Sequence, residues 1–268
     1  MPRQEGRTID DRARRLIRKM VLPVALIIAA LLVMPRAFEW GSDFLALRDV
    51  TEFIGSRSFT SESDKIDYVR NWVNENSIHK IDEEHRSYAW DTPAVVSMLW
   101  DTHLTKSGHP HLSCGPRANA MKSILEGLGV EARIVSTFTD DYSNVRSHTF
   151  LDVLNSETGV WELHDPDFNF CVVDMNTNER LPTFRLVAED LGPVLPISAT
   201  RSGWREHRIE HLKKSYFDAV MYHDGSVIFV NPDRFDMRKR FEGNDGMTFG
   251  EFTSSTYGGP GISLTHEP

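Results

Sequence analysis

Residues 112–129 read LSCGPRANAMKSILEGLG, and the fold follows from how this stretch is parsed. Gly115 and Pro116 open a helix, since proline is tolerated in a first turn where the amide it lacks would have no partner. Cys114, Ala118, Met121, Leu125 and Leu128 recur at i, i+4, i+7, i+11 and i+14, one apolar stripe at the helical period. Gly127 and Gly129 supply the stop signal. Cys114 therefore begins a face that turns inward, beside backbone N–H groups without intrahelical partners. A helix N-terminus favours a thiolate, and the same amides can hold an oxyanion when a carbonyl is attacked.

Two strands follow. Residues 148–154, in SHTFLDVL, and 159–165, running into VWELHDPD, read as a hairpin around Asn155-Ser156-Glu157-Thr158, with the turn ending at Gly159. If Leu154 faces Gly159, Asp152 lies opposite Trp161, Phe150 opposite Leu163 and His148 opposite Asp165. Directly opposed residues are about 4.5–5.5 Å apart at Cβ, near enough for an imidazole and a carboxylate to meet. A slip of one residue would send them to opposite faces. A thiol, a proton acceptor and a group that orients the acceptor thus fall within one stretch of the chain. Taken singly each has a bland reading; a cysteine on an apolar stripe is ordinarily a buried small hydrophobe.

In this order the blocks resemble the transglutaminase-like superfamily. SDKIDYVRNWVNENSIH (63–79) is similar to its upstream helix, and SCGPRANAMKSILEGLGVEARIVS (113–136) to its nucleophile helix and following strand. SHTFLDVLNSETGVWELHDPD (147–167) is similar to its His and Asp strands. The resemblance spans about residues 60 to 170. It implies an α+β papain/transglutaminase-like core, with the nucleophile helix packed on an antiparallel sheet. It further implies Cys114 as nucleophile, His148 as general base and acid, and Asp165 as the orienting residue. Thr149 and Asp167 stand where the family often has an aromatic residue and a threonine. No cofactor or metal is implied. An inactive, tethered binding module of the same family is the non-enzymatic alternative.

The amino terminus bears on where such chemistry would occur. Residues 1–20 hold seven Arg or Lys and three acids, and the uncharged run VLPVALIIAALLVM follows at 21–34. That run suits the core of a signal peptide, about 7–15 residues long, and is shorter than the roughly 17–25 residues of a usual span. No small-x-small cleavage site follows it, while Arg18, Lys19 and Arg36 can snorkel and Phe38 and Trp40 suit an interfacial belt. The reading is a basic cytoplasmic segment (1–20), an uncleaved transmembrane anchor (21–36), a linker (37–60), a transglutaminase-like domain (61–235) and a Gly-rich tail (236–268). The domain is expected on the periplasmic or extracellular side, with peptide, protein or cell-envelope material as substrate.

Residues 1–36 carry a net +5, so the remainder carries −14 against −9 for the whole chain. That balance argues against a nucleic-acid partner, which calls for a basic patch. Two cysteines are too few for a disulfide framework, and Cys171, in FNFCVVD (168–174), reads as a buried strand residue, with a redox partnership to Cys114 as the minor alternative.

Elsewhere the signals are weaker. Ser61 and Asp64 start a helix carrying Ile66, Val69 and Val73, and Thr92-Pro93 opens another toward Trp100. His109 and His111 read as polar loop residues before Cys114. Residues 181–203 read as an irregular excursion, 204–215 as helical, and 218–231 as a hairpin around Asp224-Gly225. His207, Glu210 and His211 match H-x-x-E-H, which can place two zinc ligands and a general base on one helix. A zinc hydrolase is therefore a competing reading, against a solvated charged helix face.

Overall fold

The computed structural model of the protein describes residues 44–141, 144–188, 194–197, 219–222 and 227–229. The chain divides into two units at Leu45/Ala46, and the elements below belong to the second. They combine helices with an antiparallel sheet. The helices are α1 (46–55 within this unit), α2 (Glu62–Glu75), α3 (Glu83–Tyr88), α4 (Thr92–Thr105), α5 (Cys114–Gly127) and α6 (Thr183–Ala188). A two-stranded parallel pair joins β1 (Ile78–His79) to β2 (His111–Leu112). Among the described residues the main sheet runs β7-β6-β5-β4-β3-β8-β9, every neighbouring pair antiparallel. Its strands are β3 (Ala132–Asp141), β4 (Asn144–Asn155), β5 (Val160–Asp165), β6 (Phe170–Asp174), β7 (Val194–Ile197), β8 (Ala219–Tyr222) and β9 (Val227–Phe229).

Local chemistry sets the boundaries. Ser61 caps α2, its Oγ accepting the Asp64 amide at 3.1 Å, and the apolar spacing turns Ile66, Val69 and Val73 inward. Asp91 caps α4 in the same way through the Ala94 amide at 3.2 Å, with Pro93 in the first turn. Helix α5 packs against α2 and α4 on one side and against β3 and β4 on the other. It is accordingly buried over more than the expected stripe: Ala120 and Ile124 are as inaccessible as Ala118, Met121 and Leu125. One core cluster gathers these residues with Val50, Ile54, Leu99, Leu151 and Val153. The other lies around Val135, Phe150, Leu163, Phe170 and Val172. Strand alternation separates the two, since Leu151 and Val153 belong to the first and Phe150 to the second.

Helix α1 meets α5 at Gly127, where a Cβ would stand 2.5 Å from Thr51 Cγ2. Gly127→Ala is expected to destabilise the protein by about 1–3 kcal/mol through overpacking. Adding Thr51→Ala should recover most of that loss in a denaturant titration; no recovery would mean that the two helices do not depend on this approach.

Several expectations are corrected here. The stretch 37–60 was expected as a linker, yet from Ala46 it forms α1, because Ala46, Val50 and Ile54 recur at helical spacing and are buried. The excursion expected over 181–203 contains α6 and the strand β7, which pairs with β6. His111 is a strand residue rather than a loop residue; its Nδ1 lies 2.9 Å from Asp82 and 3.2 Å from Glu84. The hairpin expected around Asp224-Gly225 does pair as β8 with β9.

The β4–β5 register differs from the expected one by two residues. Asn155 pairs with Val160, and Asp152 pairs with Leu163. The loop still has four residues, but it starts one position later, at Ser156. Asn155 stays in the ladder because it builds the turn: its carbonyl accepts the Gly159 amide at 2.8 Å, and its Oδ1 accepts those of Glu157 (3.0 Å) and Thr158 (3.3 Å). Gly159 takes the left-handed conformation, φ 70°, that closes the turn. A slip of two preserves every residue's face. His148 and Asp165 therefore become diagonal neighbours instead of opposed ones.

The segments 1–20 and 21–36, the helix expected at 204–215 with His207, Glu210 and His211, and the tail 236–268 lie outside the described residues. Among the described residues no helix is long and apolar enough to cross a membrane.

Candidate active site

Cys114 is the first residue of α5, half-buried, with Ser113 as the cap residue. Ser113 makes no side-chain cap, so its hydroxyl does not occupy the first-turn amides. That hydroxyl instead lies 3.4 Å from His85 Nε2, and His85 Nδ1 lies 3.1 Å from the His111 carbonyl. Tyr88 adds a second brace, its hydroxyl accepting the His111 amide at 2.7 Å. The strand leading into the cysteine is thus held from α3. Trp90, 59% exposed, stands over the helix mouth, where a Cβ on Gly115 would lie 3.5 Å from its ring.

His148, on β4, is almost wholly buried, and its Nε2 lies 2.6 Å from Asp165 Oδ2 at the end of β5. The ring stacks on Phe168, centroids 4.7 Å apart and 24° from parallel, and Phe150 meets it at 5.8 Å. Asp165 is fully buried, and its second oxygen is also engaged: Oδ1 accepts the amides of Asp167 at 2.8 Å and Phe168 at 3.0 Å. The turn after β5 thereby aims Oδ2 at the imidazole.

Electrostatics join the third member to this pair. Burial alone would push the His148 pKa down, but the charge and hydrogen bond of Asp165, reinforced by a hydrogen bond and charge from Cys114, hold it well above its ordinary value. With Nε2 turned to Asp165, Nδ1 is the ring nitrogen left for the thiol. The structure therefore brings together the three residues singled out from the sequence, His148 and Asp165 through the diagonal placement that the two-residue slip allows.

Other participants carried no sequence signal of their own. Asp167, buried, bonds Arg117 Nη1 through Oδ1 at 3.0 Å and through its carbonyl at 3.1 Å, and its Oδ1 also meets His79 Nδ1 at 2.7 Å. Asn74 Nδ2 donates to the carbonyls of Pro166 and Asp167 at 2.9 and 3.0 Å. Burial pushes the Asp167 pKa up, but the His79 hydrogen bond and the charges of Arg117, His148 and His79 bring it below the usual value. Burial lowers the Arg117 pKa against the pull of Asp167, Asp165 and Cys114. The sequence shows Asp167 itself, but its partners Arg117 and His79 lie 50 and 88 positions away and could not be read from it.

A separate buried network fastens α2 to the sheet. Arg70 reaches Asp67 at 2.7 Å, His164 at 2.9 Å and Asn169 at 3.2 Å. Arg180 bridges Asp67 and Glu162, and Glu162 also accepts from Asn155 at 2.8 Å. Cys171 lies beside it on β6, 0% exposed, its thiol pKa raised by burial; neither it nor Cys114 is in a disulfide. Among the described residues no cluster of His, Cys, Asp and Glu is arranged to hold a metal. No family model and no curated protein matches the chain.

Proposed function

We propose that this protein is a transglutaminase-like cysteine enzyme that transfers acyl groups from amide or peptide substrates through a thioester on Cys114. The observation that carries this reading is the convergence of a helix-mouth thiol, a buried histidine and a carboxylate whose second oxygen is already occupied. His148 takes the proton from the Cys114 thiol, or holds it in an ion pair with the thiolate; the sulfur attacks the carbonyl carbon, a C–S bond forms, and the carbonyl electrons move onto oxygen. The first-turn amides of α5, beginning with that of Cys114, stabilise the oxyanion. As the oxyanion collapses the C–N bond breaks, and the amine leaves with a proton from His148. Water or a second amine then attacks the thioester, with His148 taking its proton; the C–S bond breaks, the acyl product leaves, and the sulfur returns as thiolate beside the imidazolium. Asp165 fixes the imidazole tautomer and balances the imidazolium charge. Trp90 offers an apolar wall for the acyl side.

The same proposal includes anchoring through 21–36, with the domain facing the periplasmic or extracellular side and acting on peptide, protein or envelope substrates there. The acidic remainder of the chain favours partners other than nucleic acid.

The test is thiol trapping on the full chain. Iodoacetamide near pH 7 is expected to label Cys114 rapidly and leave Cys171 untouched, and a peptide thioester is expected to accumulate on Cys114. Labelling no faster than that of an ordinary thiol would refute the proposal. Loss of turnover to a chelator, with turnover retained by Cys114→Ala, would redirect the chemistry to His207, Glu210 and His211.

A further inference from the structure

We propose that Arg117 and Asp167 form a positioning pair that ties the nucleophile helix to the turn carrying Asp165 and so sets the approach of Cys114 to His148. The inference rests on the acyl-transfer reading above. Arg117 lies one turn into α5, three residues after the cysteine, and Asp167 lies two residues after the orienting carboxylate. Their contact is double, side chain to side chain at 3.0 Å and side chain to carbonyl at 3.1 Å. Both side chains are nearly inaccessible, at 3% and 1%. The Asp167 amide in turn donates to Asp165 Oδ1 at 2.8 Å. A chain of contacts therefore runs from α5 through Arg117 and Asp167 into Asp165, and from Asp165 Oδ2 into His148.

The pair also sets the charge around the thiol. The groups facing Asp167 are Arg117 from α5, His79 from β1, His148 from β4 and, two residues away, Asp165. Arg117 faces Asp167, Asp165 and Cys114. Arg117 places a positive charge one turn behind the sulfur, and the carboxylate of Asp167 keeps that cation in place. A single guanidinium nitrogen, Nη1, donates to both the carboxylate and the carbonyl. Asn74 and His79 hold Asp167 from the other side, so the anchor is fixed before substrate arrives.

The experiment is the rate of iodoacetamide alkylation at Cys114, read by mass spectrometry on the full chain from about pH 5 to 10. The wild type is expected to be alkylated faster at pH 7 than an ordinary exposed thiol. Asp167→Asn, nearly the same shape, and Arg117→Met should each cut the rate on the acid side at least tenfold. The double variant should lose no more than the worse single one, because the two act as one unit. Arg117→Lys should restore part of the loss. Melting temperatures accompany each variant, and if Arg117→Met fails to fold, Asp167→Asn decides. An unchanged pH profile with a lowered melting temperature would make the pair merely structural and overturn the proposal while leaving the acyl-transfer reading intact. A wild-type profile that follows an ordinary thiol would overturn both.

Discussion

With alanine at position 114 the protein is expected to form no thioester and to lose turnover to the background level. On the proposed mechanism the sulfur is the atom that bonds to the acyl group. His148→Ala should follow closely, lowering the acylation rate by about 10²–10⁴-fold, the usual contribution of a placed general base and acid. The two losses should not add, because a base without its nucleophile has nothing to activate. Single-turnover acylation of each variant and of the double variant checks this. Independent, multiplicative losses would mean that the histidine acts on something other than the cysteine.

Asp165→Asn is the second large effect. An amide in place of the carboxylate presents a donor or a neutral acceptor to Nε2, so the imidazole loses both its tautomer preference and its counter-charge. Turnover should fall by up to about 10⁴-fold, with the fold retained, since Oδ1 can still accept the Asp167 and Phe168 amides. The pH profile gives the sharper test. Burial works against the imidazolium, and Asp165 and then Cys114 raise the His148 pKa well above 6.5 despite it. The protonated form that delivers the leaving-group proton thus persists beyond the ordinary histidine range. It disappears as the pH climbs through the raised folded value. Stability has the same sign: the contribution is complete below about 6.5, where the unfolded chain is also protonated, and is lost above that as pH approaches the folded pKa. Asp165→Asn should therefore move the alkaline fall in activity to lower pH. An alkaline limb that stays in place would show that another group controls it.

How much of this was legible in the sequence depends on how local each signal is. The mouth and stop of α5 were readable because Gly115-Pro116 and Gly127-Gly129 act on their own neighbours. The hairpin was readable as two strands but misplaced by two residues, since nothing in SETG announces that Asn155 remains paired while its side chain builds the turn. The His148–Asp165 contact survived that error because side chains repeat their face every second residue, so the slip changed distance and not direction. Residues 181–203 were misread because proline and serine suggest loops, whereas β7 is an edge strand whose Pro196 is tolerated there. Arg117, Asp167 and His79 meet across gaps of 50 to 88 residues, and no periodicity spans such a distance. The expected membrane anchor, the H-x-x-E-H segment and the expected tail fall on residues outside those described.

The lattice around Arg70 has a consequence for the order in which the molecule assembles. Helix α2 brings Asp67 and Arg70, but their partners arrive late in the chain: His164 is 94 positions on, Asn169 is 99, and the Arg180 that meets Asp67 is 113. A helix docked early would bury Arg70, paired with Asp67 alone, before His164 and Asn169 arrive to complete its hydrogen bonds, which costs stability. The α2 face and the β5–β6 strands must therefore settle together, after the long intervening loop has closed. The surroundings of Cys114 are a late product of folding, and during synthesis its helix emerges well before the strands that bring His148 and Asp165.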